Sequence, residues 1–557
     1  MEAMELEELA RKYALKNAVE HDGECNTNAV MGQIFSEGEF EDKGKVGRAA
    51  GKICAEINQM TLEEHKEEMK AYSYEKESRE HDPIPDLDVD DGEEVVVRFA
   101  PNPNGPPHLG HARGMTINGE LREKYDGKLI LRFDDTDPVT KRPMKEAYQM
   151  YEEDYAWLGY RPDEVRYSSK NFDKYIEYAE KLIEKGKAYV SKASQEEMQK
   201  HRREGTASKY RSQSVDENME LWEKMKNGGL EEGEAVLKVK TDLDHKNPAV
   251  RDFVAFRIID DADHPITGDE YRVWPLLDFQ GAIEDKLMGT THIVRGKDLR
   301  ASTKRQKFVY EYFDWEYPDI RYWGNVRISG FDAPVSSSTL GKMVNKGELD
   351  GWDDPRAPTI RALKRRGFRP EAIRNFFREM GVTENDVEAS IEGLEKENTR
   401  LIDEESDRAF LVRDPVRLEI EEVPEDLKAE IPVHPDFPER GHREYDLDVE
   451  NGKVEIFVEK KDLEDGFIRL KGLCNIKVED GSAEYRPGDH KDALENDAEF
   501  IHWVPEQSKE VTVRMPDGVD FEGLVEPKNI EVDEVVQFER FGFARKDSQT
   551  VFYFTHG

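Results

Sequence analysis

Cysteine is scarce in this sequence. Only three copies occur in 557 residues, Cys25, Cys54 and Cys474, and none belongs to a Cys-x-x-Cys motif or to a cluster with histidine. A disulfide framework or a structural zinc site would need such spacing, so the sequence disfavours both. The pattern is typical of a protein that works in a reducing cytoplasm.

Long hydrophobic runs are also missing. No apolar stretch approaches the roughly 18 residues that a membrane-spanning helix requires, and the acidic first residues do not form a signal-peptide pattern. We therefore expect a cytoplasmic protein without a membrane partner. At 557 residues the chain is too long for one hydrophobic core, which predicts about three or four domains.

Positive charge is in short supply. There are 82 Lys and Arg against 122 Asp and Glu, a formal net charge of −40. Taken alone, this balance argues against a polyanionic partner. Net charge mainly governs solubility, however, and an RNA groove needs only local basic patches such as 361–366 (RALKRR). We hypothesise that the acidic surplus keeps the protein soluble in a salty cytoplasm, where phosphate contacts would be weakened.

The most informative stretch is 95–118, VVVRFAPNPNGPPHLGHARGMTIN. It reads as a β-branched strand, a Pro/Gly/Asn turn and the start of a helix, the arrangement that faces phosphates in doubly wound sheets. His108 and His111 are three residues apart and would share one helix face. Neutral imidazoles there could donate hydrogen bonds to phosphate oxygens. The residues alone are also compatible with two histidines that are packed or solvated, or with a pair of histidines that binds a metal.

A second buried strand, 128–133 (KLILRF), ends in the acidic segment 134–138 (DDTDP). Strand carboxyl ends in such sheets point into the ligand crevice, where carboxylates can hold an amino group or a metal. An Asp-rich turn before a helix is the alternative interpretation.

The rest of the chain divides by its patterns. The first 75 residues have helical spacing, 81–92 has the composition of a linker, and strands alternate with helices from Glu93 to about Val190. The alternation lapses between about 192 and 272 and then resumes. Beyond Val412 the pattern is mostly β, with an Asn451-Gly452 hairpin predicted between two alternating runs.

Eight segments between Glu93 and Gly557 resemble one family, in the family's order: RFAPNPNGPPHLGHAR, LRFDDTDP, RDFVAFRI, the DF segment, THIVRGKDL, GWDDPRAPTIRALKRRGF, RLKGLCNI and VQFERFGF. The family is the class I aminoacyl-tRNA synthetases, and HLGH resembles their HIGH signature in its glutamyl/glutaminyl form. The all-β ending resembles archaeal and eukaryotic glutamyl synthetases and the glutaminyl enzymes.

The resemblance implies an α/β fold with a Rossmann-type catalytic domain, an inserted acceptor-binding domain, a helical stem and C-terminal β-barrels, preceded by an N-terminal helical module. The predicted boundaries are 1–80 for the helical module, 81–92 for a linker, 93–191 and 273–345 for the two catalytic halves, 192–272 for the inserted domain, 346–411 for the stem and 412–557 for anticodon-binding barrels.

The activity that the resemblance implies is glutamate–tRNA ligation. ATP with Mg²⁺ would activate L-glutamate as an acyl-adenylate, and tRNA(Glu) would then accept the glutamyl group at its 3′ end. No resident metal ligand is implied, and a monomer is expected. Phosphoryl chemistry of this kind depends mainly on positioning and charge stabilisation. The residues expected to perform it at the first motif are His108, Gly110 and His111, with the turn backbone at Asn104 and Gly105.

Three residues are expected to bind the amino acid. Arg98 and Arg295 would form a guanidinium fork for a carboxylate, and an amide would leave such a fork unpaired. The glutamyl enzymes are similar in carrying arginine at the position of Arg295. Asp134 matches the acid that holds the substrate ammonium, and Asp137 is again glutamyl-like. The alternative for Arg295 is a surface ion pair with Asp298.

Two positions depart from the family pattern. Leu277 stands where the family usually has a tyrosine near the substrate. The mobile KMSKS loop should fall at 335–339 (VSSST), where its lysines are replaced. Ser336 and Ser337 are therefore expected to hydrogen-bond phosphates, with Lys342 as a catalytic cation and Arg327 as a further ATP contact.

Two other functions stay open from sequence. A glutaminyl-tRNA synthetase would share most of these motifs, and the missing loop lysines would suit a non-catalytic tRNA-binding scaffold. The sequence also leaves open whether tRNA(Gln) is charged as well.

Overall fold

The computed structural model describes residues 3–20, 23, 25–36, 43–69, 72, 83–90, 92–331 and 333–557. The chain divides into two compact units, 1–82 and 83–557. His81, Asp82 and Asp91 of the predicted linker lie outside the described residues. No helix within the described ranges is long and apolar enough to cross a membrane.

The first unit is helical, as its spacing predicts. Its helices are α1 (Ala3–Glu20), α2 (Thr27–Ser36), α3 (Lys43–Ile57) and α4 (Leu62–Met69). Tyr13 and Ala14 are buried in its core, and Leu6 and Leu9 pack against them from the same helix face. The thiols of Cys25 and Cys54 interact within this core, and burial is the main cause that raises the pKa of Cys25. Both cysteines are free.

The second unit begins with alternating strands and helices. They are β1 (Val96–Phe99), α5 (Leu109–Lys124), β2 (Lys128–Phe133), α6 (Lys145–Trp157), β3 (Glu164–Tyr167), α7 (Phe172–Glu184) and β4 (Ala188–Ser191). β1, β2 and β3 form a parallel sheet in that order. The side chains of β1 and β2 are mostly buried and those of β3 are half-buried. Burial of the inner strands is expected of a doubly wound fold, in which helices cover the sheet.

Antiparallel pairing interrupts this pattern. The next elements are α8 (Gln195–Glu204), α9 (Val215–Lys226), β5 (Val236–Val239), β6 (Phe253–Ile258) and β7 (Val273–Pro275). β4, β5, β6 and β7 form a four-stranded antiparallel sheet. The lapse in alternation that the sequence shows between about 192 and 272 therefore coincides with a change of sheet type.

The parallel sheet then continues. Its remaining elements are α10 (Leu277–Leu287), β8 (His292–Gly296), α11 (Arg300–Tyr312) and β9 (Asp319–Trp323). β8 pairs with β9 in parallel. The Thr291 N–H donates to the Val96 carbonyl at 3.0 Å, which places β8 beside β1. The carboxyl ends of β1, β2 and β8 thus meet at one edge.

A mainly helical segment follows. It contains β10 (Val326–Ser329), α12 (Ser337–Asn345), α13 (Ile360–Arg366), α14 (Pro370–Met380), β11 (Val387–Ser390) and α15 (Ile391–Ile402). The Pro107 carbonyl accepts a hydrogen bond from the Ile360 N–H at 3.1 Å, and the Leu109 N–H donates to the Pro358 carbonyl at 3.0 Å. The start of α13 is therefore fixed directly against the first-motif turn.

The C-terminal part is β-rich. Its elements are β12 (Arg408–Ala409), β13 (Leu411–Arg413), β14 (Pro415–Glu421), β15 (Lys428–Pro432), β16 (His442–Asp446), β17 (Lys453–Glu459), β18 (Gly466–Leu470), β19 (Asn475–Glu479), β20 (Ser482–Arg486), α16 (His490–Glu495), β21 (Glu499–Ile501), β22 (Val504–Pro505), β23 (Lys509–Arg514), β24 (Asp520–Val525), β25 (Val535–Phe538), β26 (Gly542–Lys546) and β27 (Val551–His556). The sheet orders are β12-β25-β26-β27-β23-β24-β13 and β21-β18-β19-β20-β14-β17-β22, with β15 and β16 as a separate pair.

The predicted Asn451-Gly452 hairpin is wrong in its strands. Asn451 and Gly452 do adopt positive φ, as a tight turn requires, and Glu450 bridges to Lys453. However, β16 pairs with β15, and β17 pairs with β14. The conformation of the turn is set by its local sequence, whereas the strands on either side of it pair with strands more distant in sequence.

Candidate active site

The turn after β1 presents two stacked histidines at the start of α5. The ring centroids of His108 and His111 are 3.9 Å apart, with planes 19° from parallel. His108 caps the helix, and its Nδ1 accepts the Gly110 N–H at 3.1 Å. The His111 Nδ1 accepts the His108 N–H at 3.3 Å. These backbone bonds hold both rings at the first turn of the helix.

The hydrogen bonds also assign the tautomers. A backbone N–H is always a donor, so the Nδ1 atom of each ring must be unprotonated, and each neutral ring carries its proton on Nε2. Burial lowers the pKa of His108 to about 4. Burial, followed by the charges of His108 and Lys141, lowers the pKa of His111 as well. Both rings are therefore neutral Nε2–H donors at neutral pH.

The Ser-rich segment lies directly on this turn. A Cβ atom at Gly105 would be 3.2 Å from the Ser337 Cβ and 3.0 Å from the Trp352 ring, so a larger residue would require these neighbours to shift. Val335 approaches Gly110 from the same side. Ser337 is buried, and its Oγ has no hydrogen-bond partner within the described ranges. The structure thus brings Gly105, Gly110, His108, His111 and Ser337 together.

The other expected ATP contacts are more exposed. Ser336 precedes α12, and Lys342 lies on that helix with its side chain exposed. Lys342 has no ion pair with any residue that the structure describes. Arg327 lies on β10 with 85% of its side chain exposed, 4.0 Å from Glu388. Asn104 lies in the turn, one residue before Gly105.

A cluster of buried charges lies across the carboxyl ends of the strands. Asp285, on α10, accepts hydrogen bonds from Arg98 Nε at 3.0 Å and from Arg132 Nη1 at 2.7 Å. Burial alone would raise the pKa of Asp285, but the charges of Arg98 and Arg132, and more weakly Arg295, hold it below its ordinary value. Asp285 therefore fixes arginines on two neighbouring strands.

Asp134 belongs to the same cluster. It accepts from Arg132 Nε at 2.7 Å and from Gln280 Nε2 at 2.9 Å. Ser168 also approaches its Oδ1, at 3.4 Å. The expected ammonium contact of Asp134 would thus have to be made alongside an existing bond to Arg132. Sequence reasoning missed Arg132, Gln280 and Asp285, because nothing local distinguishes them from core residues.

Arg295 lies next to this cluster but is held differently. It is 7% exposed, and its Nη2 lies within hydrogen-bond distance of Thr303 Oγ1 (2.5 Å), Gln306 Oε1 (3.0 Å) and the Tyr317 hydroxyl (3.1 Å). Its Nε is buried without a partner. Over the described part of the chain, Arg295 forms no ion pair, so the alternative of a surface pair with Asp298 is wrong.

The acidic segment after β2 is tied into the fold. Asp135 is fully buried and accepts from the Tyr148 hydroxyl at 2.9 Å and from Ser169 N–H and Oγ at 2.7 Å each. Burial raises its pKa to about 6. Asp137 accepts from Arg257 at 3.0 Å. Asp135 and Asp137 thus secure the segment that carries Asp134.

Leu277, which stands where the family usually has a tyrosine, is 46% exposed at the start of α10.

The basic patch at 361–366 is less accessible than its sequence indicates. Arg366 is buried and donates to the Phe554 and Thr555 carbonyls. Arg365 is paired with Asp353 and Asp547, and Arg361 with Glu153. Lys364 is the exposed cation of this patch. The interpretation of the whole patch as an RNA contact is therefore wrong for Arg366, whose charge stabilises the contact between α13 and β27.

Comparison with known proteins identifies the family. The catalytic-domain model of the class I tRNA synthetases for E and Q matches residues 94–404, and two anticodon-binding models of the same family match 406–491 and 500–547. The chain belongs to this family. The fold class and the family resemblance expected from sequence are thereby confirmed.

Relatives of this synthetase extend over its full length. A glutamate–tRNA ligase from Archaeoglobus fulgidus is 45% identical over 99% of this chain and 100% of its own. One from Pyrococcus furiosus is 45% identical over 98% of both chains. Another from Haloarcula marismortui is 42% identical over 99% of this chain and 98% of its own.

The lowered pKa of His108 predicts a pH-dependent stability for the synthetase. Because its folded pKa is about 4 against an ordinary 6.5, the unfolded chain takes up the proton first. The stability from the neutral ring is therefore complete above about pH 6.5 and is lost as the pH falls toward about 4. His108→Asn keeps a capping oxygen but not the titration. Between about pH 7 and pH 5, wild type should lose about 2 kcal/mol more than this variant in urea unfolding.

A partly exposed histidine, His245, provides the control for this measurement. His245→Asn should retain the wild-type pH dependence. Equal pH dependence in wild type and His108→Asn would contradict the assignment of a neutral His108.

Proposed function

We infer that this synthetase is a glutamate–tRNA ligase, which uses ATP to join L-glutamate to tRNA. Its full-length relatives carry that name. The structural observation that carries the proposal is Arg295, a buried guanidinium whose hydrogen-bond partners are all neutral. Burying an unpaired charge is costly, so the site is built to receive an anionic group.

A carboxylate side chain fits this requirement and an amide does not. Arg295 would pair with the side-chain carboxylate of glutamate, and Arg98 would complete the fork, since only its Nε is committed to Asp285. Glutamine would bring a neutral amide and leave the buried charge unbalanced. Asp134, already bonded to Arg132, would accept the substrate ammonium through its remaining lone pairs.

We assign ATP binding to the turn after β1 and the start of α5. The Nε2–H groups of His108 and His111 would donate to phosphate oxygens without adding a fixed charge. The backbone at Asn104, Gly105 and Gly110 allows close approach. Ser336 and Ser337 would add hydroxyl donors, while Lys342 and Arg327 would supply positive charge as the α12 segment closes.

The reaction then follows two steps, adenylate formation and transfer to tRNA. A glutamate carboxylate oxygen attacks the α-phosphorus of ATP, forming glutamyl-adenylate and releasing pyrophosphate. A ribose hydroxyl at the 3′ end of tRNA next attacks the activated carbonyl carbon, forming the ester and releasing AMP. The protein contributes alignment and charge stabilisation to both steps.

We propose that Mg²⁺ arrives with ATP. Within the described ranges, no group of three His, Cys, Asp or Glu side chains is placed to hold a metal ion. Mg²⁺ commonly keeps several waters and binds mainly through substrate phosphates. It would neutralise phosphate charge there, and the residues named above would orient the complex.

The remaining assignments are proposals of the same kind. The segment 192–272 would bind the acceptor end of tRNA, 346–411 would form the stem, and 412–557 would bind the anticodon. We propose tRNA(Glu) as a substrate, with tRNA(Gln) as a second one, for a monomer acting in the cytoplasm. Cys25, Cys54 and Cys474 are all free, which suits a reducing compartment.

Pyrophosphate exchange tests the proposed function. In the presence of tRNA, exchange should depend on L-glutamate and not on L-glutamine. Exchange with glutamine alone would identify a glutaminyl enzyme, and no exchange with either would identify a scaffold. Charging purified tRNA(Glu) and tRNA(Gln) separately then determines the tRNA range.

Arg295→Ala should cripple glutamate activation. Removing charge-assisted hydrogen bonds worth roughly 1.5–3 kcal/mol should lower kcat/KM for glutamate about ten- to hundredfold. Steady-state exchange kinetics measure this. Arg321→Ala, on the neighbouring strand β9, is the matched control and should stay near wild type. Near-normal activity of Arg295→Ala would remove Arg295 from the substrate site.

Lys342→Ala should slow adenylate formation more than it weakens tRNA binding, because a cation opposite the phosphates acts mainly in the transition state. Single-turnover rates and tRNA Kd separate the two effects. Lys346→Ala, at the end of the same helix, is the control. Unchanged single-turnover rates in Lys342→Ala would indicate that the loop hydroxyls of Ser336 and Ser337, and not Lys342, stabilise the phosphates.

A further inference from the structure

The arginines of the site are held by two different kinds of partner. Arg98 and Arg132 are held by carboxylates, through Asp285 and Asp134. Arg295 is held by a hydroxyl, an amide and a phenol. Its neighbour Asp285 interacts with it only at longer range. Of these three arginines, Arg295 is therefore the one without a carboxylate partner among the described residues.

Gln306 is central to this neutral shell. It lies on α11, is 3% exposed, and its Oε1 accepts from Arg295 Nη2 at 3.0 Å and from the Tyr317 hydroxyl at 2.9 Å. Its Nε2 lies 2.9 Å from where a Cβ of Gly281 would be, so a larger residue at 281 would displace the amide. The absence of a side chain on α10 thus makes room for Gln306 beside Arg295.

Replacing Gln306 by glutamate would change the charge at this position with almost no change of shape. Glutamate has nearly the same shape as glutamine and would offer the same acceptor to Arg295. It would also add a full negative charge about 3 Å from the guanidinium, in a site where little solvent screens it. Such an internal carboxylate would satisfy Arg295 before any substrate arrives.

We propose that Gln306 is a specificity-determining positioning residue, which orients Arg295 while leaving its positive charge available for the substrate carboxylate. The proposal rests on the inferred glutamate–tRNA ligase activity and on the pairing of Arg295 with the substrate side chain. It adds that neutrality at position 306, with Thr303 and Tyr317, sets the preference for an acidic amino acid over its amide.

Gln306→Glu tests the proposal by adding charge without changing shape. In the full-length protein with tRNA, KM for L-glutamate should rise about tenfold or more, while KM for ATP should change less than about twofold. The ratio of kcat/KM for L-glutamate to that for L-glutamine should fall about tenfold or more. A merely structural role would not separate the two substrates in this way.

Two control variants separate charge from shape. Gln306→Met removes the acceptor but adds no charge, so it should keep the glutamate preference within about threefold even if KM rises. Gln149→Glu adds the same charge on the exposed face of α6 and should behave as wild type. Loss of preference in Gln306→Met equal to that in Gln306→Glu would overturn the charge argument.

A second carboxylate position keeps the test decisive if Gln306→Glu does not fold. Thr303→Asp places a carboxylate at the other contact of Arg295 Nη2 and should cause the same selective loss for glutamate. An unchanged glutamate preference in either folded variant would overturn the proposal. Failure of the function itself is distinguished first, because wild type would then show no glutamate-dependent exchange at all.

Discussion

The candidate active site is organised around a buried positive charge, Arg295, that has no carboxylate partner among the described residues. Arg295 comes from β8, and its contacts come from α11 and from Tyr317. Arg98 on β1 and Arg132 on β2 share Asp285, which reaches them from α10. Burying a charge without a counter-ion is costly. The arrangement is therefore stable only if rigid packing holds Arg295 in place or a bound ligand neutralises its charge. Under the proposed function, substrate selection would therefore depend on the strand order that brings these arginines together.

The two histidines at the start of α5 are neutral. Backbone N–H groups donate to Nδ1 of His108 and His111, so the proton of each neutral ring is on Nε2. Positive charge is instead carried by exposed side chains, Lys342 and Arg327. Under the proposed function, neutral donors and exposed cations would share the contacts to the triphosphate, whose charge must be stabilised during reaction.

Sequence predicted much of this because the relevant signals are local. The strand 128–133 has its predicted bounds, Arg98 and Asp134 belong to one hydrogen-bonded cluster, and Arg295 lies next to it. Gln306 was missed although it lies only 11 residues from Arg295, because it looks like an ordinary helix residue. Asp285 was missed because it lies 187 residues from Arg98. The hairpin at Asn451 and the accessibility of Arg366 were wrong for the same reason, because distant strands decide both.

A structure with a non-hydrolysable glutamyl-adenylate analogue tests the central claim most directly. The account predicts the side-chain carboxylate within about 3 Å of a guanidinium nitrogen of Arg295, with Gln306 still in contact on the other side. A carboxylate directed away from Arg295, with Arg295 paired instead to an acid of the protein, would contradict it.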